Sequence, residues 1–525
     1  MKRNLTLASR YDQLSPVNEQ QYKQVCEACD TVLRAPESTI ECAAIPWLHV
    51  IREHPLFLNQ YEALFDTPSK HDLMKVLRSA GGWMLHLWRA LRHRQAWFGP
   101  QTFSQPVDVL FISHLLDSSS AGKLLDFYFG DLPEQTRAAG YNVVVAMIDH
   151  SASASSKLAD SWSAPSVPRV LLSNSLTFHE EISIWWRFKR ESGRLKKRAQ
   201  SYGPGLLKKV FLQAAVEAMS GSARSTLRLF RQVSQLTDRM KPKVMIVTFE
   251  GHAWERIAFA AAREASPGVR CFGYQHSTMF RLQHAIRRKL QARFNPDCVF
   301  TSGPVSKMQF LEAPDVGGVT LAVLGSLRSS ALKAAHDKAG HAQINPMAFR
   351  QPTDSCLVLP EGIVRECEIL FRFSIHCARL MPGISFVWRL HPLVKFDGLL
   401  AANSDFQNLP ANIELSHMTI EEDISRVRWA LYRGSSAIVA AASVGVRPVY
   451  FDQFDEIRTD PLYQLNQWRK YVSTPADMSA IFDLDSTDSL ESQEERAAAI
   501  QYCQSLYTPA DPLVFFNALN QNEFV

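Results

Sequence analysis

The chain has 525 residues, 46% of them hydrophobic, and a formal net charge of +5. At roughly 150 residues per domain this length calls for two to four cores. The modest, dispersed charge gives no reason to expect a nucleic-acid partner, and no apolar run reaches the ~18 residues of a membrane-spanning helix.

Met1-Lys2-Arg3-Asn4 lacks the apolar core of a signal peptide, so a cytoplasmic protein is expected. Residues 1–104 read as mostly helical. Cys26 and Cys29 form one CxxC with no second pair. A structural zinc usually takes four ligands, and nine irregularly spaced cysteines fit a reducing compartment. Residues 81–98 (GGWMLHLWRALRHRQAWF) read as a helix packed on the body, its Arg stems covering apolar surface. The alternative is a membrane-surface helix making peripheral contact with the inner membrane.

Residues 107–113 (VDVLFIS) are the first clear strand. A small-residue loop at 118–122 and a helix-like segment at 124–132 follow. Strands are expected at 141–148 and at 167–172. The order strand, loop, helix, strand opens a doubly wound domain. Residues 185–198 (WWRFKRESGRLKKR) read as a solvated basic helix face, with anionic lipid or an acceptor phosphate as the functional alternative.

Residues 244–277 hold the most informative unit. A buried strand at 244–249 ends in Glu250-Gly251-His252. An Ala-rich helix at 253–265 is stopped by Ser266-Pro267-Gly268, and a second strand at 269–273 ends in Tyr274-Gln275-His276. A β-α-β unit of this kind has parallel strands and a right-handed crossover. Glu250, Gln275 and His276 then leave one sheet at its carboxyl edge, where open α/β sheets bind ligands. Strands at 297–302 and 319–324 extend the sheet. Residues 327–353 resemble an interdomain linker.

A second α/β pattern begins at 356–359 and leads into Pro360-Glu361-Gly362 and a helix to Leu380. The strand at 384–390 runs into His391-Pro392. A capped helix at 419–426 has Thr419 and Glu422 spaced as a capping box. The strand at 429–432 leads to Arg433-Gly434-Ser435-Ser436, an Ala-rich helix to Ser443, and a strand at 447–451. Residues from 476 onward read as a helical tail packing back on the body. The expected fold is α/β, two doubly wound Rossmann-like domains facing across a cleft, at 105–330 and 350–475, flanked by the helical region 1–104 and the tail 476–525.

Each candidate group lies just past a strand. Ser435 and Ser436 precede a helix whose free N–H groups suit a phosphate, Arg433 and Gly434 adding charge and close backbone access; an ordinary Ser N-cap is the structural alternative. His391, behind Arg389 and ahead of a proline, has a defined direction and can donate to a phosphate or a leaving group; a loop carbonyl is its other natural partner. Glu250 can act as a general base on an acceptor hydroxyl, or be tied up by neighbouring amides or Arg256. Glu255 has the alternative of a salt bridge across its helix. No GxGxxG follows a strand and no GxxxxGK[ST] occurs, which disfavours dinucleotide and P-loop chemistry. Asp483-Leu484-Asp485 has the form of a metal-binding DxD but lies in an acidic segment outside both sheets.

The set Glu250-Gly251, His391-Pro392 and Ser435-Ser436 resembles the D/E-D-G, HP and SS motifs of bacterial sialyltransferases and polysialyltransferases. Residues 249–256 (FEGHAWER), 273–277 (GYQHS) and 111–143 are similar to a broader group of bacterial surface-carbohydrate biosynthesis proteins. The resemblance spans about 105–455. It implies a GT-B glycosyltransferase using a CMP-activated nonulosonic or Kdo-like sugar, since capsule Kdo transferases use CMP-sugars on a similar fold. The first Rossmann-like domain is then the acceptor domain and the second the nucleotide-sugar domain. The resemblance makes Glu250 the base, puts His391 on the CMP phosphate and gives Ser435 and Ser436 to the phosphate. Strand-end placement adds His276 as a second catalytic candidate, Pro392, Arg389, Glu361, Arg433 and Gly434 as nucleotide contacts, and Gln275, Glu255 and His252 as donor or acceptor contacts. Here Phe249-Glu250-Gly251 replaces an acidic pair before Gly, so base, nucleophile and structural roles stay open for Glu250. Partners are the nucleotide-sugar donor and a glycan or lipid-linked glycan acceptor; no metal or separate cofactor is expected. The alternatives are a UDP- or GDP-sugar or polyol-phosphate transferase, and a non-catalytic polysaccharide assembly protein.

Overall fold

The structure, a computed structural model, describes residues 17–65, 87–88, 90–91, 95–101, 103, 106–116, 125–151, 167–313, 318–327, 354–391, 394–453, 457–484 and 490–521. The loop expected at 118–122, nearly all of the proposed linker, much of the 81–98 segment, Pro392 and Asp485 lie outside them.

Two parallel sheets carry the fold. The first contains β1 (Trp97–Phe98), β2 (Val109–Leu115), β3 (Val143–Asp149), β4 (Arg169–Leu172), β5 (Val244–Thr248), β6 (Arg270–Gln275), β7 (Cys298–Thr301) and β8 (Thr320–Val323). Their spatial order is β1-β4-β3-β2-β5-β6-β7-β8, and only the β1–β4 pair is antiparallel. The second contains β9 (Ser355–Leu359), β10 (Ser385–Trp388), β11 (Ile413–Leu415), β12 (Trp429–Tyr432), β13 (Arg447–Phe451) and β14 (Lys470–Val472), in the order β11-β10-β9-β12-β13-β14 and wholly parallel. Strands such as β5 and β9 are buried along their whole length because helices cover both faces, which is why they read as continuous apolar runs. In each sheet the winding reverses once, between β2 and β5 and between β9 and β12. A crevice opens past the strand ends at such a point.

The β-α-β unit read from the sequence is present, with β5 and β6 parallel around the helix Ala253–Ala265. The segment expected to be helix-like at 124–132 is different where it is described. Asp126 accepts hydrogen bonds from the Ser113 hydroxyl and from the amides of Tyr128 and Phe129, closing a tight loop before a helix at Leu132–Ala138. A buried carboxylate that satisfies two backbone donors favours a turn over a helix. The basic 185–198 segment belongs to a longer helix, Phe178–Gln200. Its Ile184, Phe188 and Leu195 enter the core, while Glu181 forms a buried ion pair with Arg228 at 2.6 Å. Arg187 and Arg194 are also paired, with Glu41 and Glu191.

The N-terminal helices are not a separate lobe. Tyr22, Val25, Cys26, Cys29 and Trp47 share one apolar cluster with Phe211, Phe230 and the underside of the first sheet. Cys26 and Cys29 are free and buried there. Polar ties reinforce the junction. The Tyr22 hydroxyl donates to the Leu282 carbonyl at 2.6 Å, and Arg288 reaches Asp30 at 2.6 Å. The tail returns across the molecule. The helix Leu490–Leu506 packs beneath the second sheet, and the helix Pro512–Asn520 places Phe515 against Phe111, Phe272 and Phe300 of the first. No described helix is long and apolar enough to cross a membrane.

Candidate functional site

The first edge is built on the turn after β5. Gly251 has φ +86°, and its Cα lies so close to the Ala285–Ile286 backbone that any Cβ would collide with it. The buried Glu255 carboxylate accepts the amides of Glu250 (3.0 Å), Gly251 (2.7 Å) and His252 (2.8 Å). Glu255 therefore shapes the turn and does not bridge across its helix. Burial pushes it up to about 7, Glu250 adding to the push while His252 and the turn amides oppose it.

This cradle aims Glu250 along the sheet edge. Its carboxylate accepts from the Ser277 hydroxyl and lies 3.2 Å from His252 Nε2 and 4.0 Å from His276 Nε2. Burial alone would raise Glu250. The His252 hydrogen bond and the charges of His276 and His252 outweigh it and hold Glu250 well below the usual carboxylate range. For His252 burial works downward, but Glu250 and Glu255 win and raise it. His252 is also the more open of the two, its side chain 32% exposed against 12% for Glu250. Arg256, the other possible partner of Glu250, turns away to the Ala285 and Arg288 carbonyls and Asn295.

Two further histidines complete this edge. His114, at the end of β2, lies 2.9 Å from His150 and 3.3 Å from the Thr248 hydroxyl across the switch point. Its ring meets Trp254 and Tyr128 edge-on, and Tyr128 in turn meets His276. Burial, with the neighbouring His150, His276 and His252, pushes His114 down to about 3, so it is neutral at ordinary pH. Gln275 is fully buried and spans Ser277 and Ser302 within the frame, beneath the edge residues.

The second edge lies past β9 and β12. A Cβ on Gly434 would collide with the Glu361 carboxylate, and one on Gly362 would sit 2.7 Å from His391 Nδ1, so these two glycines let Glu361 and His391 close on the switch point. His391 is half-buried and lowered by that burial. Arg433 is buried and pairs with Glu366 at 2.8 Å, and His54 from the N-terminal region reaches Glu366 at 3.2 Å. Burial would raise Glu366, but the His54 hydrogen bond and the Arg433 charge bring it down. Burial raises Glu361, against the charges of His54, Arg52 and Arg433. Ser435 is buried, and exposed Ser436 starts a helix of six residues, Ala437–Ala442. Arg389 is placed apart, held by Asp423 at 2.8 Å and the Met418 carbonyl at 2.7 Å.

The N-terminal region touches the second edge through His54 and Glu366. The charge of Arg52 acts on Glu250 and His252 of the first edge and on Glu361 of the second. The structure thus gathers Glu250, His252 and His276 at one edge and Glu361, His391, Arg433 and Gly434 at the other. His114 and His150 could have been found by applying the strand-end rule to β2 and β3. His54, Glu366 and Arg52 carry no local signal. Among the described residues no group of three or more His, Cys, Asp or Glu could hold a metal ion.

No protein-family model matches the chain, and no curated protein matches it. Solved structures of similar overall form exist. A Staphylococcus aureus MnaA–UDP co-structure is 12% identical with a TM-score of 0.45, covering 79% of this chain and 95% of that one. The glycosyltransferase SnogD from Streptomyces nogalater is 13% identical with a TM-score of 0.44, over 79% and 100% of the two chains. MurG from Acinetobacter baumannii is 10% identical with a TM-score of 0.42, over 79% and 98%.

Proposed function

We propose that this chain is a glycosyltransferase of bacterial surface-polysaccharide assembly, moving a nonulosonic or Kdo-like sugar from a CMP-activated donor to a glycan hydroxyl. One observation carries the reading. Two winding reversals, one in each sheet, carry polar side chains at their strand ends: Glu250, His252 and His276 at the first, Glu361, His391 and Arg433 at the second. The motif resemblance at Glu250-Gly251, His391 and Ser435-Ser436 supports the donor class.

The first edge suits proton transfer. A carboxylate held as low as Glu250 is a weak proton acceptor by itself. His252, more exposed and raised by that same carboxylate, is the stronger one. In the proposed step a neutral His252 takes the proton from the acceptor hydroxyl as its oxygen forms the new bond to the anomeric carbon. The bond from that carbon to the phosphate oxygen breaks, and the nucleotide leaves with the electron pair. Glu250 orients the imidazole and stabilises the imidazolium, a division of labour familiar from carboxylate–histidine pairs. The second edge then holds the nucleotide, with His391 and the Arg433–Gly434 backbone as its contacts.

Thermal-shift measurements against CMP, CDP, UDP and GDP test the reading. A rise in melting temperature with the cytidine nucleotides supports a CMP-linked donor. A rise confined to UDP or GDP would move the donor to another base, and no rise with any of them would sink the transferase reading in favour of an assembly protein.

A further inference from the structure

Arg52 belongs to neither sheet, yet its charge is felt at both edges. Its neighbours fix where it stands. Val50, Glu53 and His54 are buried. His54 accepts the Leu56 amide at 3.1 Å to begin the helix Pro55–Glu62, and its other ring nitrogen reaches Glu366 in the second domain. The chain between these anchors is held, and the Arg52 side chain projects from it, exposed, with its guanidinium 5.3 Å over the Phe57 ring.

The other arginines nearby are already engaged. Arg433 has Glu366, Arg288 has Asp30 and Arg287 has the Tyr463 hydroxyl. Arg52 makes no hydrogen bond or ion pair among the described residues. Around it stand three carboxylates, Glu250, Glu361 and Glu53. Glu53 is buried, and neither of its oxygens meets a donor from another residue. Burial pushes Glu53 up to about 7 and raises Glu361, so these two carboxyls lean toward their neutral forms, and an oxyanion docking here would use a cation not already committed to a carboxylate. A guanidinium is suited to that task because its planar fork matches the oxygens of a phosphate or carboxylate.

We propose that Arg52, supplied by the N-terminal region, is the residue that docks the anionic group of the donor between the two edges. This rests on the nucleotide-sugar reading above and extends it: the first hundred residues then contribute to the site as well as to the core. The anion is an oxyanion carried either by the nucleotide phosphate or by the carboxylate of an acidic sugar.

Titration calorimetry on the full-length protein tests it, with CMP, UDP and GDP as phosphate probes and free Kdo and N-acetylneuraminate as carboxylate probes. Arg52→Ala is expected to weaken the probe that binds wild type by roughly ten- to a hundredfold, the range of a lost charge-assisted hydrogen bond. Arg52→Lys should recover part of the loss, because it restores charge without the fork. Loss on the nucleotide assigns the contact to phosphate, and loss on the free acid alone assigns it to the sugar carboxylate. The loss should shrink as salt rises, whereas a packing defect would be insensitive to salt. Arg52→Gln, similar in length but uncharged, should match Arg52→Ala with an unchanged melting temperature. Wild-type binding that survives Arg52→Ala undiminished overturns the proposal and leaves the nucleotide reading standing. Failure of every probe to bind wild type overturns both.

Discussion

At the β2/β5 edge the chain sets His252 and His276 against Glu250, with the His114–His150 pair beside them and Glu255 buried in the turn, whereas at the β9/β12 edge it gathers two carboxylates, Glu361 and Glu366, near one buried arginine. Both edges arise from the same winding reversal, so the backbone supplies the crevice and side chains decide its use. The first edge has groups whose protonation can change during a reaction: His252 is raised by its carboxylate while His114 is kept neutral by burial. In the second, Arg433 and Glu366 form a buried ion pair that braces the edge, with half-buried His391 beside Gly362. The proposed reading gives proton transfer to the first edge and nucleotide binding to the second.

The largest test breaks the first edge. His252→Ala and Glu250→Gln should each lower turnover by roughly 10²- to 10⁴-fold with donor affinity near wild type, since a positioned base contributes about that much. Steady-state kinetics with calorimetry reads both quantities. Near-normal turnover in both variants would dissolve the assignment. Next, Glu366→Ala breaks the buried ion pair with Arg433 and should cost about 3–5 kcal/mol of stability in chemical denaturation. Glu366 is held below its ordinary value of 4.5. Its stabilisation is therefore present above that value and lost as pH falls through the lowered native one.

A smaller effect sharpens the second edge. His391→Ala should weaken nucleotide binding by about 1.5–3 kcal/mol, with turnover at saturation little changed. Arg389→Ala, whose side chain is spent on Asp423, should leave affinity almost unaltered. If Arg389→Ala matched His391→Ala in calorimetry, the second edge would have to include Arg389.

The pH profile separates the edges more finely. His252 must be neutral to accept a proton, and its native value lies above the ordinary 6.5. The rate should therefore climb as pH rises through a midpoint above 6.5 in wild type. Glu250→Gln removes the hydrogen-bonded carboxylate of the two that raise it, so the residual activity should show its midpoint at lower pH. A midpoint that does not move would leave His252 out of the step. The least change is expected from EDTA, because a phosphate can be neutralised here by arginine and histidine; complete loss restored by Mg²⁺ would contradict this.

Much of the frame was legible because it is written in short windows. The apolar runs of β5, β9, β12 and β13 and the stop at Ser266-Pro267-Gly268 are local signals, and placing Glu250, His276, Glu361 and His391 at strand ends needed only those runs and the right-handed crossover. What those groups do once placed was not local. Glu255 looked like a helix-surface acid and became the cradle of the turn, because three amides converge on it. Gln275 looked like an edge residue and is fully buried.

By itself, then, the sequence determined the two doubly wound sheets and the edge at which each candidate group emerges, since hydrophobic periodicity and turn chemistry act over a few neighbouring residues. Only the tertiary structure decided that His54 would brace Glu366, that the charge of Arg52 would act on both Glu250 and Glu361, and that Phe515 would return to the first sheet. Those partnerships join residues hundreds of positions apart. They depend on where whole helices pack, which is set by the summed burial of apolar faces and leaves no mark in any single stretch of chain.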